Sequence, residues 1–361
     1  NGGGYLNVAV DICDQFLSGD KLIVYTKGAK SPRQELKAQK KGLFEQGRLV
    51  IMVDESSASA SEILSGAVQD WDRGVIVGRR TFGKGLVQRP FDMYDGSQIR
   101  LTTSRYYTPS GRCIQKPYDA GVEEYQMDYY NRLSHGELLS ADSVHFADSL
   151  RCFTSGNRLV YGGGGIMPDV FVPIDTMRAS DYMINLRSKG LFNSFALNWT
   201  EENREQFLKK APTYDKFSKE YEKMNVLSEF EKYAEQEGVS RNAIKKEWVN
   251  IMVSDYLKKE MSDSTARSYE SYSDYAESLI SDDKMLKEIM QKAKEEDKKN
   301  DLINKESDKY IASTIKALIA RNLYGVKYYY MTTFENDREL KEAIDVLKDN
   351  KKYNSILKAQ K

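Results

Sequence analysis

The chain has 361 residues, room for two or three domains of ~150 residues each, and its 40% apolar content supplies sizeable cores. Lys plus Arg and Asp plus Glu both number 54, so no basic excess points to nucleic acid or anionic lipid as a partner. Its longest apolar runs, such as Leu49–Val53, are a few residues long, against the ~20 of a membrane helix.

Residues 1–110 read as alternating strands and helices. After the Gly2–Gly4 turn, Leu6, Val8, Val10, Ile12, Phe16 and Leu17 recur with a helical period. Leu22–Tyr25 is a short strand, Lys27–Lys41 a charged excursion, and Arg48–Val53 a buried-type strand. Ser56–Trp71 has helical character, with Ile63, Leu64, Ala67 and Val68 on one side, and Val75–Val77 is another buried strand. Gly83–Arg89 and Gln98–Tyr107 read as strands of a hairpin turned at Tyr94–Ser97. Such alternation predicts an α/β fold with a mainly parallel sheet and covering helices.

Residues 111–165 lack a clear period and read as an insertion, about 114–164 at its core. Ile166–Val172 then returns as a strand. From about 177, Lys and Glu become frequent and helical periods take over, as at Ile244, Trp248, Ile251, Met252 and Tyr256, and at Ile311, Ile315, Leu318 and Leu323. The charged segment Lys292–Lys309 reads as a solvated helix or linker. The expected division is therefore 1–176 and an all-helical domain over 177–361. With no histidine, cysteine or phosphate loop, the helical part is expected to serve interaction or assembly. Its apolar faces would meet the core, a second copy or an adaptor. A start at Asn-Gly-Gly-Gly, without Met, reads as a piece of a longer protein.

Cys13, Cys113 and Cys152 lie far apart and could form at most one disulfide, and the histidines are only His135 and His145. A Ser-His-Asp triad or a multi-histidine metal site has little to build from. Hydrolytic chemistry would need another base.

Chemistry concentrates in Ser56-Ser57-Ala58-Ser59-Ala60-Ser61-Glu62 and Thr81-Phe82-Gly83-Lys84-Gly85. Small residues between a buried strand and a helix place a hydroxyl at a helix N-terminus, where free N–H groups favour negative charge. That suits a nucleophile with its oxyanion hole, although ordinary serine capping is the competing explanation. Ser57 and Ser61 compete with Ser59. Asp70, 11 residues after Ser59, lies about three turns along the same helix face. Lys84 between glycines could reach back as a base if desolvation or positive potential depresses its basicity; a surface lysine is the alternative. Gln88, four residues on, would share its strand face.

In order, Ser59-Ala60-Ser61-Glu62-Ile63, Asp70, Thr81-Phe82-Gly83-Lys84-Gly85-x-Val87-Gln88, Asp95-Gly96-Ser97 and Tyr106-Tyr107-Thr108-Pro109-Ser110-Gly111-Arg112 form a recognisable set. With Asn1-Gly2-Gly3-Gly4 before it and Gly165-Ile166-Met167-Pro168-Asp169 after it, the set closely resembles the carboxyl-terminal processing peptidases, or tail-specific proteases. The resemblance covers roughly 1–113 and 165–173. It implies a crotonase/ClpP-like core and a serine endopeptidase with a Ser-Lys dyad, cleaving proteins near their C-termini through an acyl-enzyme.

By position, Ser59 matches the nucleophile and Lys84 the base. Gln88 matches a residue that holds the lysine in some members, and Asp70 an acidic residue important in others. Ala60 and Gly3 would give the oxyanion N–H groups. No metal or cofactor is implied. Implied partners are proteins or peptides with accessible C-termini, and the implied compartment is a bacterial periplasm or cell envelope. Three departures stand out: the family's PDZ domain and the start of its core do not precede Asn1, an excursion of about 50 residues separates the last two motifs, and a helical tail follows. A non-catalytic peptide-binding scaffold on the same fold, and more weakly an acyl-CoA enzyme, are the alternative readings.

Overall fold

Strand–helix alternation over residues 1–110 produces two separate sheets. The computed structural model describes residues 1–175, 181–239 and 307–358. In chain order the first part runs α1 (Leu6–Asp14), β1 (Leu22–Lys27), β2 (Gln34–Lys37), β3 (Val50–Val53), α2 (Ala60–Asp70) and β4 (Val75–Gly78). It continues with β5 (Leu86–Asp92), β6 (Gln98–Tyr107), α3 (Val122–Ser134), β7 (Arg151–Phe153), β8 (Leu159–Tyr161) and β9 (Val170–Phe171).

The four-stranded sheet, ordered β2-β1-β6-β5, is antiparallel throughout, which corrects the expectation of a mainly parallel sheet. Short turns force this outcome, because a hairpin connection can only return antiparallel. The β5–β6 turn closes with the Met93 N–H donating to the Ser97 carbonyl and with Gly96 at φ 83°. The excursion after β1 likewise folds back as β2. β3-α2-β4 has the helical crossover that suits parallel pairing, and β3-β4-β9 is the parallel sheet.

α2 is buried on nearly every side. Ile63 and Ala67 pack with Cys13, Leu17, Ile23 and Val24, while Val68 packs with Leu49, Val53, Ile76 and Ile166. At Gly66 a Cβ would lie 2.7 Å from Thr108 Cγ2, so glycine permits the close approach of the segment after β6.

The chain divides into two compact units, Asn1–Ile174 with Asp337–Lys361, and Asp175–Asn336. The second contains α4 (Asp181–Ser188), α5 (Leu191–Lys210), α6 (Tyr214–Tyr221), α7 (Val226–Gln236), α8 over residues 307–324, and α9 (Val326–Phe334). Its core is aromatic, with Phe192, Phe195, Trp199, Phe207, Phe217 and Phe230 all buried alongside Ile311, Ile315 and Leu318 of α8. The Ile244–Tyr256 pattern lies outside the described residues, as does Lys292–Lys309 up to residue 306.

The last helices, α10 (Arg338–Lys348) and α11 (Asn350–Ile356), belong to the first unit, unlike the expected division at 176/177. Ala343, Val346 and Tyr353 cover Val75, Val77 and Val172. The Tyr353 hydroxyl accepts the Leu49 N–H at 3.0 Å and donates to the Leu49 carbonyl at 3.1 Å. These helices supply the apolar cover that the parallel sheet needs on that face.

Candidate active site

Ser59 caps α2 in a backbone conformation that serine rarely adopts, φ 59° and ψ −118°. A non-glycine residue held there costs about 1–3 kcal/mol and persists only when its surroundings impose it. Here Gly3 imposes part of it. At φ 95°, a Cβ on Gly3 would lie 2.6 Å from the Ala58 carbonyl oxygen, 2.9 Å from Ala60 N and 2.9 Å from Ser59 Cβ. The first turn therefore touches the serine and the first helical N–H. Ala60 opens α2, so its N–H has no intrahelical acceptor. The Gly3 N–H is engaged, donating to Asn1 Oδ1 at 2.9 Å.

Of the two competing serines, Ser57 is a loop tie. Its hydroxyl donates to Asp54 Oδ1 at 2.9 Å and accepts the Asp54 N–H at 3.1 Å.

Glu62, quoted above only as part of a motif, joins the two key segments. Its carboxylate is fully buried. Oε2 accepts the N–H of Ser59 and of Lys84, each at 2.8 Å. Oε1 accepts the Thr81 hydroxyl at 2.5 Å and the Gly83 N–H at 2.7 Å. Burial pushes this carboxyl above its ordinary range, against the opposing pull of its four donors. One acidic side chain thus holds the backbones of the serine and the lysine in register. Ser-x-x-Glu spacing at a helix start, the capping-box pattern, is the sequence signal that could have singled it out.

Lys84 itself is exposed, so the described residues do not bury it as the expected base role would require. It lies in the loop before β5, and the β5–β6 register shifts between Val87 and Gln88. The alternation that would put Lys84 and exposed Gln88 on one strand face is therefore broken.

Asp70 is not brought to Ser59. Eleven residues at 1.5 Å rise put it about 16 Å along α2. There it pairs with Arg112 at 2.7 Å, both side chains fully buried, and accepts the Ser110 N–H at 2.9 Å. Asp169 takes the Ile76 N–H at 2.7 Å and Arg158 at 2.6 Å. The Thr-Pro-Ser-Gly-Arg and Gly-Ile-x-Pro-Asp motifs thus anchor the far end of α2.

Among the described residues no cluster of three or more His, Cys, Asp or Glu side chains could hold a metal ion. All three cysteines are free, and burial pushes the Cys13 thiol up to about 12.

Residues 1–124 match the family model of Peptidase family S41. The matched segment carries Ser59 and Lys84. The chain is 33% identical over 166 residues to a carboxyl-terminal-processing protease of Synechocystis, covering 46% of this chain and 38% of that protein. A carboxy-terminal-processing protease of Bartonella bacilliformis is 40% identical over 32% of this chain and 26% of its own. A chloroplastic carboxyl-terminal-processing peptidase of Arabidopsis thaliana is 40% identical over 30% and 21%. The chain thus spans less than two fifths of the length of these relatives. The solved photosystem II D1 C-terminal processing protease is 28% identical, covering 48% of this chain and 32% of its own with a TM-score of 0.33. Residues 182–251 and 241–325 match a family of unknown function, DUF8443.

Proposed function

We propose that the protein is a serine endopeptidase that cleaves other proteins near their C-termini, with Ser59 as nucleophile and Lys84 as general base on a crotonase/ClpP-like core. The observation that carries this reading is the Glu62 carboxylate, which accepts the N–H of both Ser59 and Lys84 at 2.8 Å. A cap that served the helix alone would have no use for the second bond. The strained Ser59 backbone supports the same reading, since such conformations gather at reactive residues.

In the proposed reaction the neutral Lys84 amine takes the Ser59 Oγ proton as the oxygen attacks the scissile carbonyl. The Ala60 N–H meets the resulting oxyanion, and such a donor contributes on the order of 3 kcal/mol. Gly3 adds a second donor when its N–H turns from the Asn1 carboxamide to the substrate. The lysinium then protonates the leaving amine, and water hydrolyses the ester. Gln88 would steady the lysine once substrate covers it, whereas Asp70 contributes through the fold. Proteins with accessible C-termini are the proposed substrates, a bacterial periplasm or envelope the proposed compartment, and the helical unit the proposed site of assembly or adaptor contacts.

The test uses a fluorophosphonate probe and a peptide substrate on the full-length protein. Ser59→Ala and Lys84→Arg should both abolish labelling and hydrolysis, because a guanidinium stays protonated and cannot accept the serine proton. Full activity in either variant would refute the dyad. Substrate binding without any labelling would favour the scaffold.

A further inference from the structure

Residues 83–85 are gripped by three elements. Glu62 takes the N–H groups of Gly83 and Lys84. The segment leaving the Thr-Pro-Ser-Gly-Arg motif takes two more groups, and the Tyr106 N–H of β6 donates to the Gly85 carbonyl at 2.8 Å. The Lys116 N–H donates to the Gly83 carbonyl at 2.9 Å, and Gln115 Oε1 accepts the Gly85 N–H at 2.8 Å. Both residues flanking Lys84 are therefore tied to 115–116.

Gln115 is 6% exposed, and its Nε2 donates to the Lys116 carbonyl at 2.8 Å. That bond fixes the amide, since only one orientation satisfies an N–H donor at Gly85 and a carbonyl acceptor at Lys116. The approach is close enough to demand glycine. A Cβ on Gly85 would lie 2.8 Å from Gln115 N, and one on Gly83 would lie 3.1 Å from Lys116 Cβ. The Gly-Lys-Gly sequence is thus explained by the neighbour that holds it.

The gripping segment is itself immobilised. Ile114 is fully buried beside Ile76 and Ile166, and its carbonyl accepts the Gly165 N–H at 2.9 Å. Lys116 sits 2.9 Å from Asp128 of α3, with its ammonium 3.9 Å from the centre of the Phe82 ring and 4.1 Å from that of Tyr125. The start of the insertion is so fastened to the residue two before Lys84.

We propose that Gln115 is a positioning residue for Lys84, acting through the Gly85 N–H; this rests on the Ser59–Lys84 reading. An exposed lysine before an edge strand has no packing of its own to fix where its backbone sits. Glu62 controls the N–H side of that backbone, and at the exit Gln115 holds the Gly85 N–H while Tyr106 of β6 holds its carbonyl. A shift at Gly85 would move the Lys84 backbone, and with it the amine, relative to Ser59.

The experiment compares Gln115→Met, which keeps length and removes both hydrogen bonds, with Gln115→Glu, which keeps an acceptor for Gly85. Peptide hydrolysis and fluorophosphonate titration of competent sites are measured on the full-length protein, with circular dichroism as the folding control. Gln115→Met should lower kcat per titrated site about tenfold or more with KM within about twofold, as expected for a small misplacement of a catalytic group. Gln115→Glu should recover most of that loss. The inference is overturned if Gln115→Met keeps kcat within about twofold of wild type per titrated site, including the case in which only the folded fraction falls. Lys84→Ala is run alongside. An active Lys84→Ala protein would sink the dyad and the positioning role together, whereas an inactive one beside a normal Gln115→Met variant would sink the positioning role alone.

Discussion

Glu62→Gln is the sharpest single perturbation of the site, because it changes one atom in a fully buried group with four donors. The amide can present its oxygen to only one pair. If its nitrogen faces Ser59 and Lys84, two backbone N–H groups lose their acceptor at once. If it faces Thr81 and Gly83, the Thr81 hydroxyl can rotate, and only the Gly83 N–H is stranded. The second arrangement costs less and should prevail. Leaving one buried donor unsatisfied costs about 1–3 kcal/mol, and turning the two surviving bonds from charged to neutral costs roughly 1 kcal/mol each. Removing a buried charge returns part of this, since burial already disfavours the carboxylate. The expected net loss is about 2–4 kcal/mol.

Urea unfolding of the full-length protein measures that loss, and the fluorophosphonate labelling rate per folded molecule measures the accompanying shift of Gly83 and Lys84. The rate should fall between about 10- and 100-fold. A stability loss under about 1 kcal/mol together with an unchanged labelling rate would show that the four-donor network does not hold the site together.

Asp70→Asn should destabilise by about 3–5 kcal/mol by leaving the buried Arg112 charge uncompensated, yet leave labelling of the folded fraction at the wild-type rate. A folded but unreactive Asp70→Asn protein would restore a direct catalytic role. Burial, partly offset by Asp128, holds the Lys116 ammonium below its ordinary 10.5, so the native state loses that proton before the unfolded chain does. Stability relative to Lys116→Met should therefore be level at lower pH and rise in the wild type's favour as pH climbs toward 10.5. Paired urea midpoints across that range check the sign, and a difference that falls with pH would contradict it.

What could be read in the sequence was local. The small-residue run before a helical period announced the turn into α2, and Asp95-Gly96-Ser97 announced the β5–β6 hairpin. Contacts between distant segments were not legible. Glu62 draws three of its donors from residues 19, 21 and 22 positions away, and Asp70 finds Arg112 42 positions away. No period or spacing encodes such pairs. The return of α10 was hidden for a related reason: the apolar side of Ala343 and Val346 suits any greasy surface, and nothing in it names Val75 and Val77 as the partner. The Lys84–Gln88 expectation failed because it assumed an unbroken strand, whereas the lysine precedes β5 and a register shift follows.

α2 shows why so many motifs were recognisable when so few bear reactive groups. At its start the helix offers Ser59, the Ala60 N–H and the Glu62 carboxylate to the loop that carries Lys84. At its end Gln69 Nε2 donates to the Met167 carbonyl and to Asp169, while Gln69 Oε1 and Asp70 both accept Arg112 Nη2. Apart from Asp95-Gly96-Ser97 in the β5–β6 turn, motifs spread over more than 160 residues thus converge on the two tips of one 11-residue helix. The backbone strain at Ser59, about 1–3 kcal/mol, is held at the near tip, where the Glu62 carboxylate takes the Ser59 N–H and the Gly3 turn packs against it. The buried ion pairs at the far tip therefore act through the fold, about 16 Å along α2 from Ser59, while Glu62 holds the near tip.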